Sequence, residues 1–148
     1  MRRLFIIRKD LNLSPGKLAA MIAHCAEAFW TRLIQNNLET IPGPEGNMYR
    51  ITSGLLDTDI VEQYICGIFT KTICEAKNLN RLKKAEEIAL ELGLKEGVDF
   101  GFINDKCLTE LTPENEDGTT TVGIWFKPLS DTIAHTISKK FPLYNLLC

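Results

Sequence analysis

The sequence predicts an α/β protein with three layers, in which helices cover both faces of a four-stranded mixed sheet with one antiparallel strand. Three observations predict this class. The 148-residue chain is long enough for one sizeable core, and its 45% hydrophobic and 24% charged residues are ordinary for a globular protein. Short apolar runs alternate with segments of helical periodicity. The last two runs are joined by a turn-rich connection alone, which indicates an antiparallel pair.

The first strand and helix follow from local patterns. Leu4–Arg8 is a nearly continuous apolar run, typical of a strand that is covered on both faces. Ser14 can cap the next helix, and Pro15 suits its first position. We expect this helix to reach about Gln35. The small residues that we expect to approach the sheet closely are Ala19, Ala20 and Ala23.

A long loop is predicted in the middle of the chain. Glycines and prolines punctuate residues 36–56, so we expect irregular structure with at most a short extended piece near Met48–Ile51. Asp57–Gln63 is predicted as a brief helix. The β-rich run Ile65–Cys74 is predicted as the second strand.

The second half supplies the remaining elements. Apolar residues in Asn80–Leu92 recur at i, i+3, i+4 and i+7, which predicts a helix. Val98–Ile103 and Thr119–Phe126 are predicted as the third and fourth strands. Ser130 can cap a last helix that reaches about Lys139. No internal repeat or linker marks a second domain, so the whole chain, 1–148, is predicted to be one domain.

Composition narrows the classes of function. No GxGxxG, P-loop, GxSxG or HExxH pattern occurs, so nucleotide binding and the familiar serine and zinc chemistries lack support. With two histidines and no CxxC spacing, no metal site is predicted. The five cysteines have apolar neighbours and are predicted to be buried free thiols: they are Cys25, Cys66, Cys74, Cys107 and Cys148.

The sequence says less about the cellular location and the partners of the protein than about its class of function. No apolar run approaches the roughly 20 residues of a membrane helix, and the basic start of the chain lacks the longer apolar stretch of a signal peptide. We therefore expect a cytoplasmic protein with no membrane partner. The formal net charge of −2 neither establishes nor excludes a partner that carries phosphate.

A few polar residues stand where α/β proteins place their chemistry. Lys17 falls in the first turn of the predicted helix, where the helix dipole disfavours a cation, and such local conflicts are typical of functional sites. His24, seven residues later, returns to nearly the same helix face, with Met21 between them. Asp105 follows a strand and precedes Thr109 by four residues. If the first and third strands are parallel, Lys17 and Asp105 meet at one sheet edge.

Each of these residues also has an ordinary interpretation. Lys17 can be a solvated lysine, and His24 a hydrogen-bonded core histidine. Met21 can simply fill the core. Asp105 can be a turn residue and Thr109 a plain β residue.

The start of the chain resembles the second class of peptidyl-tRNA hydrolases, the type typical of archaea and eukaryotes. That family opens with an apolar strand, an Arg-x-Asp-Leu turn, then Gly-Lys-x-Ala-Ala-Gln and a histidine three residues later. The matching residues are Arg8, Asp10, Leu11, Gly16, Lys17, Ala19, Ala20 and His24. GFINDKCLTEL is similar to the family's Ile-x-Asp-x-x-x-Thr stretch, and TTVGIWFKP to its closing strand. Residues 40–64 show no match and are interpreted as a family-atypical loop or insertion.

The resemblance implies a hydrolase that cleaves the ester between a peptide and the 3′ end of tRNA without a metal or organic cofactor. In this hypothesis Asp105 accepts a proton from the attacking water, and Thr109 helps to hold that water or the carbonyl. Lys17 stabilises the oxyanion or grips a phosphate, and His24 positions the substrate. Further substrate-binding residues are predicted to be Arg8, Asp10, Gly16 and Met21. The resemblance implies that the partner is peptidyl-tRNA. It also implies a homodimer, because family members are thought to form dimers.

Two alternatives remain open. The chain departs from the family pattern at Met21, Leu108 and Glu110, which favours a non-catalytic module that binds RNA or protein on the same scaffold. The acidic net charge favours a hydrolase of a smaller ester or amide, whose turnover needs no RNA body.

Overall fold

The computed structural model describes residues 1–52 and 54–146. Helices cover both faces of a four-stranded mixed sheet, which confirms the predicted fold class. In chain order the elements are β1 (Arg3–Arg8), α1 (Pro15–Gln35), β2 (Leu38–Gly43), β3 (Gly46–Ile51), a π-helix (Ile60–Ile68), β4 (Lys71–Ala76), α2 (Leu79–Glu91), β5 (Phe100–Asp105), β6 (Thr120–Phe126) and α3 (Asp131–Ser138).

The strand directions bring three strand ends to one edge of the sheet. The strand order is β4-β1-β6-β5. Strand β1 runs parallel to β4 and antiparallel to β6, and β5 is also antiparallel to β6. Strand β6 is therefore the single antiparallel strand, as the sequence predicted. The carboxyl ends of β1, β4 and β5 share one edge, which we call the carboxyl edge.

The core is divided by the sheet into two clusters. Alternate residues of β1 point to opposite faces, as the pleat requires. Leu4 and Ile6 pack on the side of α2 and α3, whereas Phe5 and Ile7 pack under α1 with Trp125. Every residue of β1 is buried, in agreement with the prediction of a strand covered on both faces.

Helix α1 has the predicted bounds but not the predicted buried face. Its buried residues are Leu18, Met21 and Cys25, at helical spacing on one stripe. The three alanines at 19, 20 and 23 are exposed instead. The expectation that these alanines approach the sheet was wrong. The helix turns the larger side chains of Leu18, Met21 and Cys25 towards the sheet instead, because their burial removes more apolar surface from water.

The middle of the chain is more regular than predicted. Strands β2 and β3 form a separate antiparallel hairpin, where a loop was expected. A tight connection with Gly46 at φ +130° joins its strands. The prediction of a strand from Ile65 was also wrong: Tyr64 is buried on the π-helix, and β4 begins at Lys71. The β-branched composition of that run could not show that a left-handed residue, Phe69, separates the two elements.

The cysteines differ in their surroundings. Cys25 and Cys74 are buried free thiols, as predicted, and burial raises the pKa of Cys25 to about 12 despite the nearby Arg3 guanidinium. Cys66 is exposed and Cys107 is half-buried, so the prediction was wrong for Cys66. Cys148 lies outside the described residues. Among residues 1–52 and 54–146, none of the helices combines the length and the hydropathy of a membrane-spanning segment.

Candidate active site

The candidate site lies at the carboxyl edge, where the start of α1 meets the end of β5. Ser14 caps α1 by accepting a hydrogen bond at 3.3 Å from the backbone N–H of Lys17, which fixes Lys17 in the first helical turn. Asp105 is the last residue of β5. Because β1 and β5 run in the same direction, the helix that follows β1 begins beside the end of β5.

Lys17 and Asp105 make direct contact. The Lys17 Nζ atom lies 2.7 Å from Asp105 Oδ1 and 3.4 Å from the Thr109 hydroxyl, to which it also donates. The Lys17 and Asp105 side chains are 15% and 11% exposed. This partial burial strengthens the ion pair relative to one in bulk water, and it leaves both groups accessible to a ligand.

Two features of the backbone lie beside Asp105, and the first of them orients its carboxylate. The Cys107 N–H donates to Asp105 Oδ2 at 3.0 Å, and Cys107 adopts a left-handed φ of 59° to do so. The register between β5 and β6 also shifts between Ile103 and Asn104. The residue left unpaired by this shift is Val122 on β6, and such irregularities of pairing are common beside active sites.

His24 faces the same open pocket. This pocket has a volume of about 390 Å³ and is lined by Lys17, His24, Asn104, Asp105, Lys106, Leu108 and Thr109. The four residues that the sequence predicted as catalytic are therefore brought together. His24 is exposed, unlike the core histidine of the alternative interpretation. Its imidazole is accessible from solvent.

Arg8 and Asp10, which were predicted to bind substrate, belong to a structural clamp. Arg8 is only 4% exposed, and its five N–H donors are engaged by Asp10, Glu114 and the carbonyl of Thr121. Burial alone would lower the pKa of Arg8, but the hydrogen bonds to Asp10 and Glu114 raise it above its ordinary value. Because every N–H donor of Arg8 is engaged inside the protein, the geometry favours a structural role for Arg8; binding of substrate by Arg8 and Asp10 stays a prediction.

The two other predicted substrate-binding residues also lie outside the pocket lining. Met21 is 2% exposed and belongs to the core cluster under α1, which favours its interpretation as core; a role for Met21 in binding substrate stays a prediction. Gly16 is exposed in the first turn of α1, with open space where a side chain would project. A role for Gly16 in binding stays a prediction.

Several contributors were missed or only partly anticipated by the sequence reasoning. Lys106 and Leu108 line the pocket, and their position between Asp105 and Thr109 was the available signal. Glu114 gave no signal, because its partner Arg8 lies 106 positions away in sequence. Glu110 was noted in the sequence only as a departure from the family pattern. Its carboxylate accepts hydrogen bonds from the Ser14 hydroxyl at 2.6 Å and the Ser14 N–H at 3.0 Å.

We predict that the hydrogen bonds between Glu110 and Ser14, at the start of α1, depend on pH. Hydrogen bonds from the Ser14 hydroxyl and N–H lower the pKa of Glu110 below its ordinary value. The contact is therefore formed at neutral pH and is lost as the pH falls through this lowered pKa. In a carboxyl-detected NMR titration we expect the Glu110 midpoint to lie below that of a free glutamate, and Ser14→Ala to remove most of this difference. A midpoint at or above the free value in the unmodified protein would contradict the pH dependence.

The fold and site define an α/β protein that presents polar groups beyond the carboxyl ends of its strands, the usual ligand position in this class. The family model described as peptidyl-tRNA hydrolase PTH2 matches residues 1–144. The chain therefore belongs to the PTH2 family of peptidyl-tRNA hydrolases, which confirms the resemblance seen in the sequence.

A solved structure agrees with this fold. A protein of unknown function from Agrobacterium tumefaciens strain C58 is similar to this chain with a TM-score of 0.54 and 13% identity, and the match covers 97% of each chain. At this identity the likeness concerns the fold alone. No curated protein matches the sequence. Within the described residues, no group of three or more His, Cys, Asp or Glu side chains is placed to hold a metal ion.

Proposed function

We propose that this protein hydrolyses peptidyl-tRNA, cleaving the ester between the peptide and the 3′ ribose of the tRNA. Family membership supports this activity at the level of the family. The observation that carries the proposal for this chain is the 2.7 Å contact between Lys17 and Asp105 in an open pocket that His24 and Thr109 also line.

Asp105 is the general base in this proposal. A carboxylate has about four lone-pair positions, and two are used here by Lys17 Nζ and the Cys107 N–H. The remaining positions can accept a hydrogen bond from water. As that water attacks the ester carbonyl carbon, its proton passes to Asp105, and the proton then moves to the ribose 3′ oxygen as the C–O bond breaks. The products are a peptide acid and a tRNA with a free 3′ hydroxyl.

The other three residues act on charge and position. The Lys17 ammonium lies where it can stabilise the negative charge that develops on the carbonyl oxygen. Thr109, 3.4 Å from the same ammonium, can hold the water or the carbonyl. His24 has a free imidazole at the pocket and can donate to a hydroxyl of the terminal ribose. We expect no metal ion to take part.

The test is release of peptide from peptidyl-tRNA by the purified protein, followed as conversion of labelled peptidyl-tRNA to free peptide. We expect turnover that exceeds the spontaneous rate and persists in the presence of a metal chelator. Parallel reactions with a small peptide ester, and gel shifts with uncharged tRNA, separate the alternatives. Binding of tRNA without hydrolysis of peptidyl-tRNA would show that the protein is a binding module and not an enzyme. Equal turnover of the small ester would show that the substrate is a small ester and not peptidyl-tRNA. A homodimer and a cytoplasmic location stay predictions.

A further inference from the structure

A second pocket opens at the carboxyl edge, beyond the end of β4. It has a volume of about 590 Å³, and four cations are among its lining residues. We call it the basic pocket and define it by Lys9, Lys77, Arg81 and Lys84. It lies between the end of β4 and the first turns of α2, on the other side of β1 from Asp105.

The basic pocket has more positive than negative charge. Glu75 lies 3.7 Å from Lys9, and Glu87 lies 2.7 Å from Lys84. Arg81 donates to the carbonyl of Lys140 at 2.7 Å, which is a neutral partner. Within the part of the chain that the structure describes, Lys77 makes no ion pair or hydrogen bond. Four cations thus face two carboxylates, in a protein whose formal net charge is −2.

The start of α2 increases this positive potential. Asn78 caps the helix by accepting from the Arg81 N–H at 2.9 Å, and no acidic residue occupies the first turn. The remaining free N–H groups and the positive end of the helix dipole therefore act together with the lysines. An anion with several oxygens, such as a phosphate group, matches this set of donors.

The position of the basic pocket relative to Asp105 indicates which phosphate ligand it takes. Strands β4 and β5 are the two outer strands of the sheet, separated by β1 and β6. Three strand spacings of about 4.8 Å place their ends about 15 Å apart along the same edge. A single phosphate cannot span this distance, whereas a nucleic-acid strand carries one charge at each nucleotide and can reach both places.

We propose that the basic pocket binds the phosphodiester backbone of the tRNA whose 3′ end enters the pocket of Lys17 and Asp105. This inference rests on the proposed function. The Lys77 and Lys84 side chains are exposed, so they can form ion pairs with phosphates without rearrangement of the core. Such contacts contribute affinity and register on the RNA and take no part in the chemistry.

The experiment compares two matched pairs of substitutions. Lys77→Ala/Lys84→Ala removes two cations from the basic pocket. Lys71→Ala/Lys95→Ala removes two exposed lysines from the opposite edge, because Lys71 opens β4 and Lys95 precedes β5. Both pairs change the net charge equally. Affinity for uncharged tRNA is measured by fluorescence anisotropy over a series of KCl concentrations, and circular dichroism checks that each variant folds.

We expect Lys77→Ala/Lys84→Ala to weaken tRNA binding about tenfold or more, and to make the slope of log K against log[KCl] shallower by about two. The control pair should change both quantities little. For peptidyl-tRNA hydrolysis, KM should rise with kcat unchanged, whereas turnover of a minimal substrate that ends in a single acylated adenosine should not change. Inorganic phosphate, added as a competitor, should compete weakly.

The binding arm remains informative if the protein hydrolyses nothing, so failure of the proposed function is distinguishable from failure of this inference. Equal losses of affinity for the two pairs of substitutions would overturn the inference and leave only a general effect of net charge. Tight competition by free phosphate would also overturn it, in favour of a site for a small phosphate ligand.

Discussion

Asp105→Asn is expected to lower kcat for peptidyl-tRNA hydrolysis by about 10²–10⁴-fold, the usual contribution of a positioned general base. Asparagine has nearly the same shape, and its amide oxygen can still accept from Lys17 Nζ or the Cys107 N–H. The substitution therefore removes the group that accepts the proton and keeps the side-chain shape, although one of the two hydrogen bonds to Asp105 is lost because the amide NH2 cannot accept. Affinity for uncharged tRNA should stay within about twofold, because Asp105 contacts no phosphate in the proposed complex.

Lys17→Ala is the companion variant. We expect a loss of about 10²–10³-fold in kcat, as for removal of one group that stabilises an oxyanion. Because the two side chains are in contact at 2.7 Å, the double variant should lose much less than the product of the single losses. Peptide release under single-turnover conditions measures the chemical step directly.

Asp59→Asn and Lys95→Ala are suitable controls for this pair. Both positions are exposed, and neither lines the pocket of Asp105. We expect wild-type rates from both. Rates that stay at the wild-type level in Asp105→Asn and Lys17→Ala would contradict the catalytic assignments, even if the protein is an active hydrolase.

Arg8→Ala is expected to lower the free energy of unfolding by about 2–4 kcal/mol. Removal of one partner from a buried ion pair typically costs about 3–5 kcal/mol. The lower value applies because the Asp10 and Glu114 side chains are 37% and 38% exposed and regain water when the guanidinium is absent. For a chain of this length the change corresponds to a fall in Tm of about 6–12 °C.

Calorimetry or thermal circular dichroism measures this shift. Arg50→Ala is the matched control, since Arg50 is an exposed arginine on the hairpin, 4.0 Å from Glu39, and such pairs contribute little. If Arg8 instead bound substrate, Arg8→Ala would raise KM at an unchanged Tm. That result would restore the sequence-based interpretation and contradict the clamp.

The fold was largely predictable because its signals are local. The caps at Ser14 and Ser130, the apolar strand β1 and the periodicity of α2 each specify an element from neighbouring residues. The errors in the predicted elements occurred where the local sequence was ambiguous, or where contacts distant in sequence decide the structure. The run from Ile65 has a composition suited to a strand, yet only the pairing of β4 with β1 fixes where the strand begins.

The candidate site was predictable in part. Lys17 and Asp105 could be paired from the sequence because parallel strands place their carboxyl ends together. The structural surroundings of Arg8 and Met21 could not be predicted from strand direction or from the motif. A motif shows that a residue occupies a position, but not whether its donors are already engaged by residues far away in the chain, as those of Arg8 are by Glu114.

The sequence by itself determined the class of fold, the family and the set of polar residues that follow β1 and β5, because periodicity, helix caps and motif spacing are local properties of the chain. Only the tertiary structure decided which of those residues face an open pocket and which are buried as a clamp or as core. It also placed the basic pocket and Asp105 along one edge of the sheet. The physical reason is that burial and hydrogen-bond partners are set by contacts between residues distant in sequence.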